Sequence, residues 1–166
     1  MATLLIKAED ITKNTPMGGN IDVNKYLFVI KDSQQFVIKP ILGTKLYDKI
    51  ITDYEGDTLA GDYLILVNDY IKPILVASVF AEFIPVHAFM ISNGGISKFA
   101  PENSQPATKN EVDYLAQTQR NKASVYIERL EKFLCDTDLP EYTCNQDNDY
   151  DVKPHRNINY MGGWDI

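Results

Sequence analysis

The chain is 166 residues long and 45% hydrophobic, with 23 acidic against 16 basic residues and a formal charge of −7. That length suits one domain with an appendage, large enough to bury ~70% of its unfolded surface. The negative balance argues against a protein whose main work is gripping nucleic acid, because such binding needs clustered Lys and Arg to displace counterions.

At the N-terminus, MATLLIKAED is too short in its apolar part and too acidic for a signal peptide, so synthesis in the cytosol is expected. Leu4 to Lys7 reads as a short strand and Ala8 to Asn14 as one or two helical turns. Thr15 to Asn20 is a loop by its Pro and Gly content. From Ile21 a helical face forms from Tyr26, Val29, Ile30, Ser33, Val37 and Ile41. Pro40 should end or kink that helix, since proline lacks an N–H and disfavours α geometry in the residue before it. Gly43 and Thr44 follow as a C-cap and a new N-cap, and Lys45 to Tyr54 forms the next helix, with Leu46, Tyr47, Ile50 and Ile51 on one side.

After a turn at Glu55 to Thr58, Leu59 to Ile71 is helical by pattern. Pro73 fits the first turn of a further helix reaching about Ser92, where Asn93-Gly94-Gly95 stops it. This helix is apolar nearly all round, which marks it as the central core element. Its Pro73 to Ile91 stretch is long enough for a bilayer, but Glu82 near the midpoint, with Pro85 and His87, favours a buried helix and no membrane. Ile96 to Ala107 is a polar loop or small hairpin. Thr108 and Glu111 then make a capping box for a long helix from Glu111 to Cys135, spanning ~37 Å. Its apolar stripe runs through Val112, Leu115, Ala116, Gln119, Ala123, Tyr126, Ile127, Leu130, Phe133 and Leu134.

Beyond Asp138 periodicity is lost. Residues 139–166 are rich in Asn and Asp, yet they keep Tyr142, Tyr150, Tyr160 and Trp164. Disorder selects against such rings, so this segment reads as an extended arm that orders on a partner. Two short sequences echo each other, Val37-Ile38-Lys39-Pro40-Ile41-Leu42 and Tyr70-Ile71-Lys72-Pro73-Ile74-Leu75, both at helix–proline joints.

Chemistry-bearing patterns are sparse. His87 and Glu82 sit five residues apart, on different faces of a helix, and lack a third metal ligand. A buried Glu82 would be capped by a Lys, Arg or Tyr from another helix. Asp147, Asp149 and Asp151 resemble the start of a calcium loop, but the positions needing Gly and Glu are Val152 and Ile158. Cys135 and Cys144 form no CxxC pair and read as free thiols of a reducing compartment. No catalytic residue, metal or cofactor is expected.

Taken together, FVIKPILGTKLYDKI (Phe36–Ile50), DYIKPIL (Asp69–Leu75), SNGGISK (Ser92–Lys98) with Glu102-Asn103-Ser104, the long helix and the terminal NYMGGWDI (Asn159–Ile166) resemble the head–tail connector proteins of tailed phages. The nearest in character are the neck ring proteins of crAss-like phages. That resemblance implies a virion subunit in the neck, a helical bundle that forms a closed ring of about twelve copies. Such a ring joins the portal to the tail, touches adjacent tail or ring proteins, and extends a channel through which DNA passes without specific binding. In this sequence the arm residues Tyr142, Tyr160, Trp164 and Ile166, and the loop residues Ile96, Phe99 and Pro101, would be the partner-binding positions. Two rivals are a small terminase-like packaging protein, which would want a basic helix-turn-helix face, and a small helical enzyme using Glu82 and His87.

Overall fold

Two Lys-Pro steps, Lys39-Pro40 and Lys72-Pro73, fall inside stretches whose other residues favour helix. Proline within an α-helix removes a hydrogen bond and drives its ring against the carbonyl four residues back. The computed structural model, described over residues 3–17, 21–22, 24–92, 95–98 and 107–142, resolves both conflicts in the same way. The helix widens into a π-turn just before each step, at Gln34–Ile38 and Leu66–Ile71. The N–H groups of Lys39 and Lys72 donate to carbonyls five residues back, on Gln34 and Val67. Each proline then lies in the first turn of the next α segment, where its missing N–H costs little.

The elements run α1 (Ala8–Asn14), α2 (Asn24–Ser33), the first π-turn, α3 (Lys39–Glu55), α4 (Gly61–Ile65), the second π-turn, α5 (Lys72–His87), strands β1 (Phe89–Ser92) and β2 (Gly95–Lys98), and α6 (Lys109–Asp136). The chain is therefore a mainly α bundle with a long C-terminal helix preceded by a small hairpin. Pro40 does not break the helix. The break comes at Gly43, whose φ of 74° and ψ of 164° leave helical space. A Cβ there would meet no neighbour, so the backbone conformation, and not crowding, calls for glycine.

A π-turn adds one residue to a helical turn, and the buried face slips by one position in consequence. The α-periodic expectation of Val37 and Ile41 in the core is corrected to Ile38 and Leu42, which are fully enclosed, while Val37 and Ile41 are half-buried. The first π-turn also begins with Gln34, only 2% exposed. Its side-chain oxygen accepts from the Leu5 N–H at 3.0 Å, and its nitrogen donates to the Thr3 carbonyl at 2.9 Å and the Tyr47 hydroxyl at 2.8 Å. This explains why the expected strand at Leu4 to Lys7 is not one. Leu5 and Ile6 are buried, but their segment hydrogen-bonds to a glutamine amide in place of a neighbouring strand.

α4, the second π-turn and α5 form one continuous helix, Gly61–His87, of 27 residues. Its mean hydropathy of 1.6 would suffice for a bilayer, but 61% of its most apolar window is buried within the bundle. Ile74, Leu75, Val79, Phe80 and Phe83 sit at the centre of the core. α6 packs antiparallel to α5, with Tyr70 stacked on Phe133 at one end and Arg120 acting on Glu82 toward the other. Small buried residues on both helices, Ala77, Ser78 and Ala81 against Ala116 and Ala123, suit a close approach. The α5 helix stops at His87, not near Ser92. Pro85 has already removed one ladder bond in its last turn, and Phe89–Ser92 pairs antiparallel with Gly95–Lys98. The hairpin thus begins earlier than the loop at Ile96 to Ala107 in which it was expected.

α6 opens with the expected capping box: the Thr108 hydroxyl accepts from the Glu111 N–H, and the Glu111 carboxylate accepts from the Thr108 N–H at 2.8 Å. Its buried stripe is Ala116, Ala123, Leu130 and Leu134, and Leu115, expected in that stripe, is exposed. The bundle does not end at Asp138. Leu139 is buried and Tyr142 packs on the core, so the first four residues assigned to the arm belong to the bundle. Cys135, expected as a free thiol, is disulfide-bonded. The chain's other cysteine, Cys144, lies outside the described residues.

Two substitutions test this architecture. Gln34→Ala leaves the Leu5 N–H and the Thr3 carbonyl without their partner, while the Tyr47 hydroxyl keeps the Gln35 amide at 3.0 Å, so unfolding in urea should show a loss of about 2–4 kcal/mol. Phe83→Ala removes a ring set edge-on to Tyr26 at 5.8 Å and stacked on His87. Its cost should be about 3–5 kcal/mol, and a value below about 1 kcal/mol would place this helix outside the core.

Candidate functional site

Where α6 ends, the chain turns back onto α3 and α4. The Tyr142 N–H donates to the Leu139 carbonyl at 2.9 Å, closing a turn that seats Leu139 in the core. The Tyr63 hydroxyl donates to the Glu141 carboxylate at 2.5 Å. Lys49 lies 5.3 Å from the centre of the Tyr63 ring and is itself held by Asp53 at 2.8 Å. The hydrogen bond to Glu141, helped by burial, pushes the Tyr63 hydroxyl up to about 12. Burial, and then the charge of Glu131, raise the Tyr142 hydroxyl. These contacts fix the root of the arm on the bundle.

Of the sequence-based site residues, Tyr142 and Ile96 fall within the described residues. Tyr142 is half-buried against its own core. Ile96 lies in β2, paired with Ile91 of β1. Phe99, Pro101, Tyr160, Trp164 and Ile166 lie outside the described residues. Sequence reasoning missed a set of large apolar side chains on the surface. Phe28 and Phe36 project from α2 and the first π-turn, Leu64 and Ile65 from α4, and Tyr114, Leu115 and Val125 from α6. Phe36 and Tyr114 are each 75% exposed, too far for marginal core residues. The signal was available for Phe28 and Phe36, which stand off the Tyr26–Val29–Ile30 face of the same helix.

A cleft of about 300 Å³ opens between α1, the second π-turn with α5, and α6. Asn14, Asn68, Lys72, Gln119, Lys122 and Tyr126 supply most of its polar lining. Lys122 sits 5.9 Å from the Tyr126 ring centre. Asp10 also borders the cleft, but its carboxylate already accepts from the Lys7 N–H at 2.8 Å. Neither Lys72 nor Lys122 has an ion-pair partner among the described residues.

Glu82 and His87 do not line this cleft. Glu82 is exposed, and burial of its surroundings followed by the charge of Asp32 raises its pKa, while Arg120 and Ser33 oppose the rise. The Ser33 hydroxyl is buried and makes no hydrogen bond of normal geometry among the described residues, yet it lies near enough to Glu82 to favour ionisation. His87 is exposed and stacked on Phe83 at 5.2 Å. Among the described residues, no three His, Cys, Asp or Glu side chains gather in metal-binding range.

The described architecture defines a small helical bundle with a hairpin, a polar cleft and a fixed arm root. Residues 38–152, more than half of the chain, match the model of a family of unknown function, DUF6712, and the chain belongs to that family. No match is found among curated proteins or solved structures.

The arm root carries a pH signature. The folded state raises the Tyr63 pKa from 10.0 to about 12, so it favours the protonated phenol. This stabilisation should be complete below pH 10 and fade as pH rises toward 12. Glu141→Gln should pull the late phenol titration back toward 10 in an ultraviolet difference titration, and cost about 1 kcal/mol at neutral pH. An unchanged titration would mean that Glu141 does not hold this hydroxyl.

Proposed function

We propose that this chain is a structural subunit of a phage head–tail connector ring, joining portal to tail and extending the DNA exit channel. The observation that carries the reading is the exposure of large apolar side chains on different elements of one bundle, Phe28 and Phe36 on α2 and the first π-turn and Tyr114 and Val125 on α6. A ring contact is heterologous and needs two different complementary faces on each copy. The sequence resemblance to connector proteins supports the same reading, as does a net charge of −7 in a channel that must let phosphate pass without holding it. Residues beyond the fixed root, ending in Tyr160, Trp164 and Ile166, supply the side-chain types that most often anchor interfaces.

Native mass spectrometry of the full chain, alone and with a portal protein, tests the proposal. A closed ring of many copies on the portal is expected, and Phe36→Glu or Tyr114→Glu should abolish it while leaving the melting temperature nearly unchanged, because both rings are on the surface. One or two copies per assembled particle would overturn the ring. Binding of duplex DNA at micromolar or tighter affinity in physiological salt would favour a packaging protein instead.

A further inference from the structure

We infer that the cleft between α1, α5 and α6 is a binding site for a small organic anion, one that carries a carboxylate or phosphate group on a compact apolar body. The inference goes beyond the ring reading and does not depend on it. The chain has 23 acids against 16 bases, yet the cleft reverses that balance. Lys72, in the first turn of α5, and Lys122, on α6, stand on opposite walls, and neither has an ion-pair partner among the described residues. Asp10 is the one acid of the lining, and its carboxylate is turned to the start of its own helix, where it accepts from the Lys7 N–H at 2.8 Å. Two like charges on one cavity repel each other, and an anion between them removes that repulsion.

The neutral polar groups of the lining divide into committed and open ones. The Asn14 amide donates to the Asp10 carbonyl at 2.7 Å and the Thr15 hydroxyl to the Ile11 carbonyl at 2.7 Å, so both serve the end of α1. The side chains of Asn68, Gln119 and Tyr126 make no hydrogen bond to another described residue. Their N–H and O–H groups can donate to an oxyanion beside the two ammonium groups. Asn68 belongs to the second π-turn, and Lys72 and Pro73 follow it directly, so the wide turn itself builds this wall, as such turns often do at functional sites. Pro73, Val76 and Ala77 give the cleft an apolar portion. Its volume of about 300 Å³ is roughly ten times a water molecule's share of the liquid, which leaves room for an organic body behind the anionic head.

A nuclear magnetic resonance titration of the ¹⁵N-labelled full chain tests this, with ionic strength held constant by sodium chloride so that screening does not vary. The probes are phenyl phosphate and benzoate, with inorganic phosphate as the head alone and benzyl alcohol as the body alone. Phenyl phosphate or benzoate should shift the amides of Asn68, Lys72, Gln119 and Lys122 saturably, the tighter of the two naming the head group. That probe should bind roughly tenfold more tightly than inorganic phosphate or benzyl alcohol. Lys72→Gln with Lys122→Gln should weaken it by roughly tenfold, and Lys72→Arg with Lys122→Arg should retain it. Lys72 is half-buried and Lys122 exposed, so Lys122→Gln alone provides a variant whose fold is not at stake, and it should weaken binding in the same direction. The inference is overturned by the absence of a saturable shift at these amides, by binding that survives the double Gln change, or by inorganic phosphate binding as tightly as the organic probes. A duplex oligonucleotide that displaces phenyl phosphate at lower concentration would make DNA the ligand and overturn it equally.

Discussion

The constraint on which the bundle turns is the conflict between proline and the α-helical ladder at two places in the chain. Lys39-Pro40 and Lys72-Pro73 could each have ended a helix. Instead a single wide turn before each step moves the donor of the preceding lysine to a carbonyl five residues back, and the helix continues. Because it continues, Gly61–His87 becomes one rod long enough to form the centre of the core, and α6 has a full-length partner to pack along. The first π-turn sets a further feature. It places Gln34 inward, where its amide receives the N-terminal segment and ties Leu5 and Ile6 into the core.

Much of this architecture was legible. The helical class, the central apolar helix, the Thr108–Glu111 cap and the long last helix all follow from periodicity and capping chemistry, because those signals are local. The echo between the two IKPIL sequences was visible too, though not its meaning. A π-turn leaves no mark in a pattern read at 3.6 residues per turn, so the expected face slipped from Ile38 and Leu42 to Val37 and Ile41. The hairpin at Phe89–Ser92 was hidden because its residues are as apolar as the helix before them, and only Pro85 hinted that the helix was ending.

The site was less legible than the fold. Tyr142 read as a free aromatic in a polar tail, since nothing local ties its neighbour Glu141 to Tyr63, 78 residues earlier, or seats Tyr142 itself against the core. The cleft gathers side chains from three elements far apart in sequence, and no motif spacing links Asn14, Lys72 and Lys122. Exposed apolar residues were hard to see for a related reason. Helical periodicity identifies a stripe, and Leu115 flanks the stripe of α6 closely enough to be counted with it until packing separates them.

The division of labour around α6 follows from its angular arithmetic. One flank carries Ala116, Ala123, Leu130 and Leu134 into the core, small toward the middle of α5 and larger toward the arm root. Gln119, Lys122 and Tyr126 lie on one side of that stripe and wall the cleft, while Arg120 and Glu131 lie on the other. Tyr114 and Val125, eleven residues apart, share the outward face. A helix of this length can therefore hold its own bundle together, fix the root of its tail and leave two further flanks open without any of these roles displacing another. Burial of α6 on a broader face would have strengthened the isolated bundle, but it would have covered the cleft wall and the outward side chains Tyr114 and Val125.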